Sequence, residues 1–218
     1  MTTAKPKVAF LAGPRFGRAS GPRFVSQAPP DLDVFVVDAE LPEEERIRLF
    51  KDVQVLVTPN EGIDFSFLRS CPSVKLIQSG SAGNDLLDLK LFAELGITVA
   101  DNGGANANAM AEKTVGLMIG ICRNLMGQWH NVHKERRWNE GLTSPPGIEI
   151  TGRTVGIIGL GRIGKNVARL LRGFDTKTIF YDAMEVPRAV QEEIKVEPAS
   201  FETVLGESDF VTLHVALT

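Results

Sequence analysis

The sequence predicts an α/β protein in which parallel sheets are covered by helices. Short apolar runs alternate with amphipathic segments over the first hundred residues, the same alternation restarts after Arg153, and a glycine-rich turn sits directly between a strand and a helix. The long apolar segment between the two alternating regions marks where one domain gives way to the next.

In chain order, "VAFLAGP" (8–14) reads as a strand running into a turn closed by Gly13 and Pro14, and "DVFVVDAE" (33–40) as a second strand. "PEEERIRLF" (42–50) opens with proline and carries three acids in its first turn and arginines later, which suits the charge asymmetry of a helix. Those charges read as a solvated face. "VQVLVTP" (53–59), "VKLIQSG" (74–80) and "GITVADN" (96–102) supply three more strands, and "DLLDLKLFAEL" a helix between the last two. Gly103 and Gly104 then make a joint, and 106–129 reads as one long helix, apolar around most of its circumference and therefore buried between domains, against a second subunit, or both. The polar stretch 130–149 is a surface connection. From Arg153 onward follow "TVGIIGLG" as strand, "RIGKNVARLLRGF" as helix, "TKTIFYDA" as strand, "RAVQEEI" as helix, "KVEP" as a brief strand and "SFETVLGES" as helix. The closing "SDFVTLHVALT" (208–218) reads as a buried strand.

Composition excludes several classes of partner. The net charge of −3, from 24 basic and 27 acidic residues, offers no field to gather nucleic acid or an anionic membrane surface. The longest apolar stretch, "TVGLMIGIC" (114–122), falls well short of the roughly 20 residues a bilayer requires. Cys71 and Cys122 lie far apart without CxxC spacing, so they read as reduced thiols, and a cytoplasmic location is expected. His130 and His133, near Glu135, lack a third ligand at a recognisable spacing and read as solvent-facing; no metal site is expected.

"GLGRIG" places Gly159, Gly161 and Gly164 in a GxGxxG arrangement after a strand and at the start of a helix, with Asp182 ending the next strand 18 residues beyond Gly164. In a dinucleotide site the first glycine permits the tight turn, the second lets the backbone approach a pyrophosphate, and the third lets helix and strand pack closely. The helix N-terminus offers its N–H groups to the phosphates, with Ile163 in the same turn. A carboxylate at Asp182 accepts hydrogen bonds from ribose hydroxyls and repels a 2′-phosphate, which favours NAD over NADP. Arg162 either lies along the pyrophosphate or is a solvated residue of the first turn. "GLGRIGKN" also satisfies most of a triphosphate-binding loop, but Asn166 stands where that loop needs a hydroxyl on magnesium, and the triphosphate reading leaves Gly161 and Asp182 unexplained.

Taken together, "KLIQSGSAGNDLLDL", "GITVADNGGANANAMAEKT", "GRTVGIIGLGRIGKNVARLLRGF" with "FYD", and "SDFVTLHVALT" resemble the D-isomer-specific 2-hydroxyacid dehydrogenase family, which includes phosphoglycerate, glyoxylate, hydroxypyruvate and D-lactate reductases. The resemblance implies a flavodoxin-like substrate domain over 1–105 and a Rossmann NAD-binding domain over 106–218, with a small 2-hydroxy or 2-oxo carboxylate held between them. It assigns the carboxylate to backbone N–H groups of the Ser79–Asp85 loop, at Ser81, Ala82 and Gly83, a role that suits a glycine-bearing turn as an anion nest; a plain turn before a helix is the alternative. Ser81 and Ala82 depart from the commoner G-x-G form of that loop. Thr114 matches a position that touches the cofactor, or else simply bonds its own helix backbone. His214 and Val215 match a strand-end segment over the cofactor, where Ala216 replaces the usual proline. The apolar helix at 106–129 suggests a homodimer through that helix.

Hydride transfer further needs a proton donor or acceptor and a cation that orients the carboxylate. In the family an arginine, a glutamate and a histidine do this, and all three lie beyond the strand at 208–218. No residue of this chain matches them, so no catalytic residue is assigned and the second half of the Rossmann domain is expected to be missing. Little or no turnover is expected of these 218 residues, and a non-catalytic NAD-binding or dimerisation module is the alternative reading.

Overall fold

The computed structural model describes residues 4–15, 17–138 and 147–215. They fall into two compact units that divide between Gly103 and Gly104.

The first unit is a five-stranded parallel sheet. Its strands are β1 (Lys7–Ala12), β2 (Asp33–Asp38), β3 (Val53–Thr58), β4 (Leu76–Ser79) and β5 (Thr98–Ala100), in the order β2-β1-β3-β4-β5. That is the flavodoxin order, with its switch point between β1 and β3. Around it lie α1 (Gly17–Ser26), α2 (Glu43–Phe50) and α3 (Leu89–Glu94). The strands are apolar because both faces are covered: Leu11, Leu56 and Ile77 are fully buried with Phe50, Phe65, Phe67 and Phe92. Phe50 meets Phe67, and Phe65 meets Phe92, edge to face at centroid separations of 5.1 Å. Asp88 caps α3 by accepting the Leu91 N–H at 3.0 Å, so this helix starts at Leu89, and "DLLD" (85–88), expected to be helical, precedes it as irregular chain. Helix α1 contains Gly21 and Pro22, residues that punctuate helices in sequence, and no sequence expectation covers it. Gly21 has a packing reason, since a Cβ there would lie 2.9 Å from Val36.

The second unit holds β6 (Thr154–Ile158), β7 (Lys177–Tyr181), β8 (Glu197–Pro198) and β9 (Phe210–Leu213) in the parallel order β8-β7-β6-β9. This is one Rossmann half with the first strand of the other half beside it. Helices α4 (Ala107–Cys122), α5 (Leu125–His133), α6 (Arg162–Leu171), α7 (Arg188–Ile194) and α8 (Phe201–Glu207) complete it. The core joins Ala111, Val115 and Met118 of α4 to Val167, Ala168 and Leu171 of α6 over Val155 and Ile157 of β6.

Two sequence expectations change here. The single helix over 106–129 is two helices, because Asn124 takes a left-handed conformation (φ 46°) and breaks the ladder. Nor is it buried on all sides: Leu117, Ile121, Leu125, Met126, Trp129 and Val132 are exposed, Ile121 and Met126 to 72% and 75%. The strand β9 is likewise covered on one face only, with Val211 and Leu213 exposed. Ala216, read as a replacement for proline, lies outside the described residues, as do 139–146 of the polar connection.

Candidate functional site

Two loops carry the residues singled out in the sequence, one in each unit. In the second unit, β6 runs through Gly159 and Gly161 into α6, whose N-cap is Gly161. Gly159 adopts φ +92°, and a Cβ there would meet the His214 carbonyl oxygen at 2.7 Å. A Cβ at Gly164 would lie 2.3 Å from the Gly159 carbonyl oxygen. Both positions are closed to any side chain by backbone. Gly161 is the opposite case: nothing lies within 4 Å of its Cβ position, so the space above the loop is open. Ile163, in the first turn of α6, is half-buried and packs against the core of the unit.

Asp182, just past β7, ties this loop down. The Leu160 N–H donates to its Oδ2 at 2.6 Å and the Met184 N–H to its Oδ1 at 2.9 Å. Each carboxylate oxygen has a second lone pair, so two acceptor positions remain for an incoming hydroxyl. On the other side, His214 reaches the loop through its backbone: its N–H donates to the Ile158 carbonyl at 2.8 Å while its carbonyl covers Gly159. The half-buried imidazole sits 3.0 Å from the Thr212 hydroxyl, and burial holds its pKa below the ordinary histidine value. Val215 follows it, exposed, with a methyl 2.9 Å from the Gly159 Cβ position.

Arg162 lies against Gly104, whose Cβ position is 2.8 Å from the arginine Cδ and whose φ is +80°. With Lys165, Arg169, Asn108 and Asn166 it lines a cavity of about 310 Å³ that contains no acidic residue. Asn166 donates to Asn108 Oδ1 at 2.6 Å, so the side chain in the magnesium-ligand position of the triphosphate reading is already committed. Thr114 donates its hydroxyl to the Met110 carbonyl of its own helix at 2.8 Å, and no hydrogen bond joins it to the glycine loop among the described residues.

In the first unit, the loop after β4 is fastened at both ends. The Gly80 N–H donates to the Thr58 carbonyl at 2.9 Å and the Ser81 N–H to the buried Ser79 hydroxyl at 3.2 Å; at the far end the Leu86 N–H donates to Asn60 Oδ1 at 3.0 Å and the Leu87 N–H to the Asn84 carbonyl at 3.0 Å. Between these fastenings, the N–H groups of Ala82, Gly83 and Asn84 have no acceptor among the described residues. The Asn84 Oδ1 is buried without a partner. Ala82 and Gly83 are exposed and Ser81 is half-buried. Sequence reasoning missed Asn60, which reaches across from the end of β3; its only signal is an amide side chain just after a strand, in "VTPN".

Among the described residues there is no group of three or more potential metal ligands, and no helix is long and apolar enough to cross a membrane. His130 pairs with Glu135 at 3.5 Å when protonated, and His133 stacks on Trp129, both on the exposed helix α5.

Comparison with known proteins accords with this geometry. Residues 115–218 match the model for the NAD binding domain of the D-isomer specific 2-hydroxyacid dehydrogenases. The glyoxylate reductase of Thermococcus litoralis is 33% identical over 182 residues, which is 80% of this chain and 53% of that protein. The hydroxypyruvate reductase of Thermotoga maritima is 32% identical over 184 residues, 84% of this chain and 58% of that protein. The chain thus spans a little over half the length of these relatives. Among solved structures, the D-lactate dehydrogenase of Aquifex aeolicus in complex with NAD and lactic acid superposes with a TM-score of 0.76 at 26% identity, covering 97% of this chain and 61% of that one. The crowded and open glycines, the tethered aspartate and these similarities lead to one assignment: the chain belongs to the D-isomer-specific 2-hydroxyacid dehydrogenase family.

Proposed function

We propose that the unit beginning at Gly104 binds NAD at the Gly159–Gly164 loop, and that the first unit serves as the substrate domain of an oxidoreductase acting on small 2-hydroxy or 2-oxo acids. The observation that carries the cofactor reading is the contrast within the loop. Gly159 and Gly164 are glycine because backbone fills their Cβ positions, whereas Gly161 faces empty space and has φ −71°, a conformation open to any residue. A small residue with no packing reason fits a ligand that approaches the backbone there. The N–H groups at the start of α6 and the Arg162 guanidinium hold the pyrophosphate, the free lone pairs of Asp182 accept the ribose hydroxyls, and His214, Val215 and Thr114 flank the bound molecule. NAD supplies or accepts the hydride. In the first unit, the open N–H groups of Ala82 and Gly83, with Ser81, take the substrate carboxylate.

Proton transfer is the part these residues do not provide. Burial disfavours the charged form of His214, whose ring is bonded to Thr212, no carboxylate pairs with it among the described residues, and the other two histidines lie on α5. The 218-residue chain therefore binds cofactor and turns over little. Calorimetric titration of NAD into the chain and into Asp182→Ala is expected to show at least about tenfold weaker binding in the variant, the worth of one hydrogen bond to a charged acceptor. Equal affinities would remove Asp182 from the site. Robust oxidation of NADH with glyoxylate, hydroxypyruvate or pyruvate would overturn the claim of low turnover.

The exposed apolar side chains of α4 and α5, Leu117, Ile121, Met126 and Trp129 among them, support a second copy of the chain as partner, since clustered exposed apolar residues mark interaction surfaces. Sedimentation equilibrium of wild type and Ile121→Asp distinguishes dimer from monomer.

A further inference from the structure

We propose that Asn60 is a positioning residue that keeps the Ser79–Asp85 loop open to a carboxylate by holding Asp85 away from the loop's own N–H groups. The inference rests on the reading of that loop as the substrate-carboxylate site and adds a residue and a mechanism to it.

Asn60 follows β3 and uses both ends of its amide. Nδ2 donates to Asp85 Oδ1 at 2.9 Å, and Oδ1 accepts the Leu86 N–H at 3.0 Å. An ionised carboxylate only accepts and a backbone N–H only donates, so a single orientation of the amide satisfies both partners. The clamp matters because of what lies beside it. A Cβ placed on Gly83 would be 2.8 Å from Asp85 Oδ1 and 3.7 Å from Asn60 Nδ2, so the carboxylate already rests against the middle of the loop. The N–H groups of Ala82, Gly83 and Asn84 are unclaimed. Aspartate side chains readily bond nearby backbone N–H groups. An Asp85 released from Asn60 is free to turn toward these donors, and by accepting from them it would both fill the nest and set a negative charge against any incoming anion. Asn60 prevents this by giving the carboxylate a donor on the β3 side.

The test uses the 218-residue chain and oxamate, an unreactive monocarboxylate of substrate size, followed through the backbone amide resonances. In the wild type, oxamate is expected to shift the Ala82, Gly83 and Asn84 amides. Asn60→Ala should bind oxamate about tenfold more weakly, between the bulk-water and near-surface limits for two like charges about 4 Å apart. Asn60→Ala combined with Asp85→Ala should recover the affinity of Asp85→Ala alone, because the competing carboxylate is gone. A loop that had merely lost its anchor would not be rescued by removing a second side chain. Thermal unfolding of each variant checks that the first unit remains folded. Unchanged affinity in Asn60→Ala, or a double variant as weak as Asn60→Ala, overturns the proposal alone. A wild type whose loop amides do not respond to oxamate overturns the carboxylate reading of the loop and the proposal with it.

Discussion

The two glycine-bearing loops of this chain follow parallel strands in the same way, yet they are kept open by different means. In the Gly159–Gly164 loop the constraint is backbone against backbone: the His214 carbonyl covers Gly159, and the Gly159 carbonyl covers Gly164. In the Ser79–Asp85 loop no glycine is crowded by backbone, and side chains share the fastening with two backbone hydrogen bonds. A Cβ at Gly80 would have its nearest neighbour, the Thr58 carbonyl oxygen, at an ordinary 3.8 Å, and at Gly83 the near group is the movable Asp85 carboxylate. Ser79 and Asn60 supply the side-chain part of the fastening there. The first kind of loop permits one residue type at fixed spacings and so leaves a motif. The second permits many sequences, provided that distant side chains reach it.

The sharpest way to break this comparison is to add one methyl group to each loop. Gly164→Ala puts a carbon 2.3 Å from a backbone oxygen in a close-packed strand–helix junction, where neither partner can yield cheaply. A loss of about 3 kcal/mol is expected, at the upper end for overpacking a core, and urea unfolding of the second unit measures it. Gly83→Ala meets only the end of a side chain and lies on an exposed loop, so its cost should stay below about 1 kcal/mol. Similar costs in the two variants would mean that the loops do not differ in the way described.

What could be read from the sequence follows the same division. Both sheets, nearly all the helices and the glycine spacing of the Gly159–Gly164 loop were legible because apolar periodicity and a fixed glycine spacing between a strand and a helix are patterns local in sequence. The Asn60 clamp was not, because its partners lie 25 and 26 residues away and an asparagine after a strand signals only a turn. Helix α1 escaped notice because Gly21, small so that it can pack on Val36, resembles a breaker in the sequence. The break at Asn124 was hidden for a related reason: the apolar pattern of α4 and α5 is continuous in sequence, while a single left-handed residue redirects the chain.

A smaller effect on stability, with a clear effect on binding, separates packing from ligand approach inside the first of the two loops. Gly161→Val introduces a side chain where nothing lies within 4 Å and the backbone is at φ −71°, so the unfolding free energy should move by no more than about 0.5 kcal/mol. Calorimetry with NAD should nevertheless show at least about tenfold weaker binding, because the branched side chain occupies the space through which the pyrophosphate approaches. If Gly161→Val binds NAD as the wild type does, Gly161 is glycine for no reason connected with the cofactor.

The smallest expected effect is on pH dependence, and it belongs to the backbone-crowded loop. His214 packs its carbonyl on Gly159 and buries its imidazole, which lowers the ring's pKa below the ordinary value of 6.5. In the unfolded chain the ring takes up a proton as the pH falls through 6.5, while in the folded unit it resists protonation until a lower pH. The unfolded state thus binds more protons in that window, and the stability of the second unit falls as the pH drops from 7 toward the folded-state value, then stays level below it with respect to this group. A decline in the unfolding midpoint across this window should be visible by calorimetry and absent in His214→Gln. No histidine lies in the loop after β4, so the protection of the Ser81 and Leu86 amides, corrected for the intrinsic pH dependence of exchange, should not change across the same window. A pH-dependent loosening of both loops together would show that the titrating group acts on the chain as a whole and not through the carbonyl that covers Gly159.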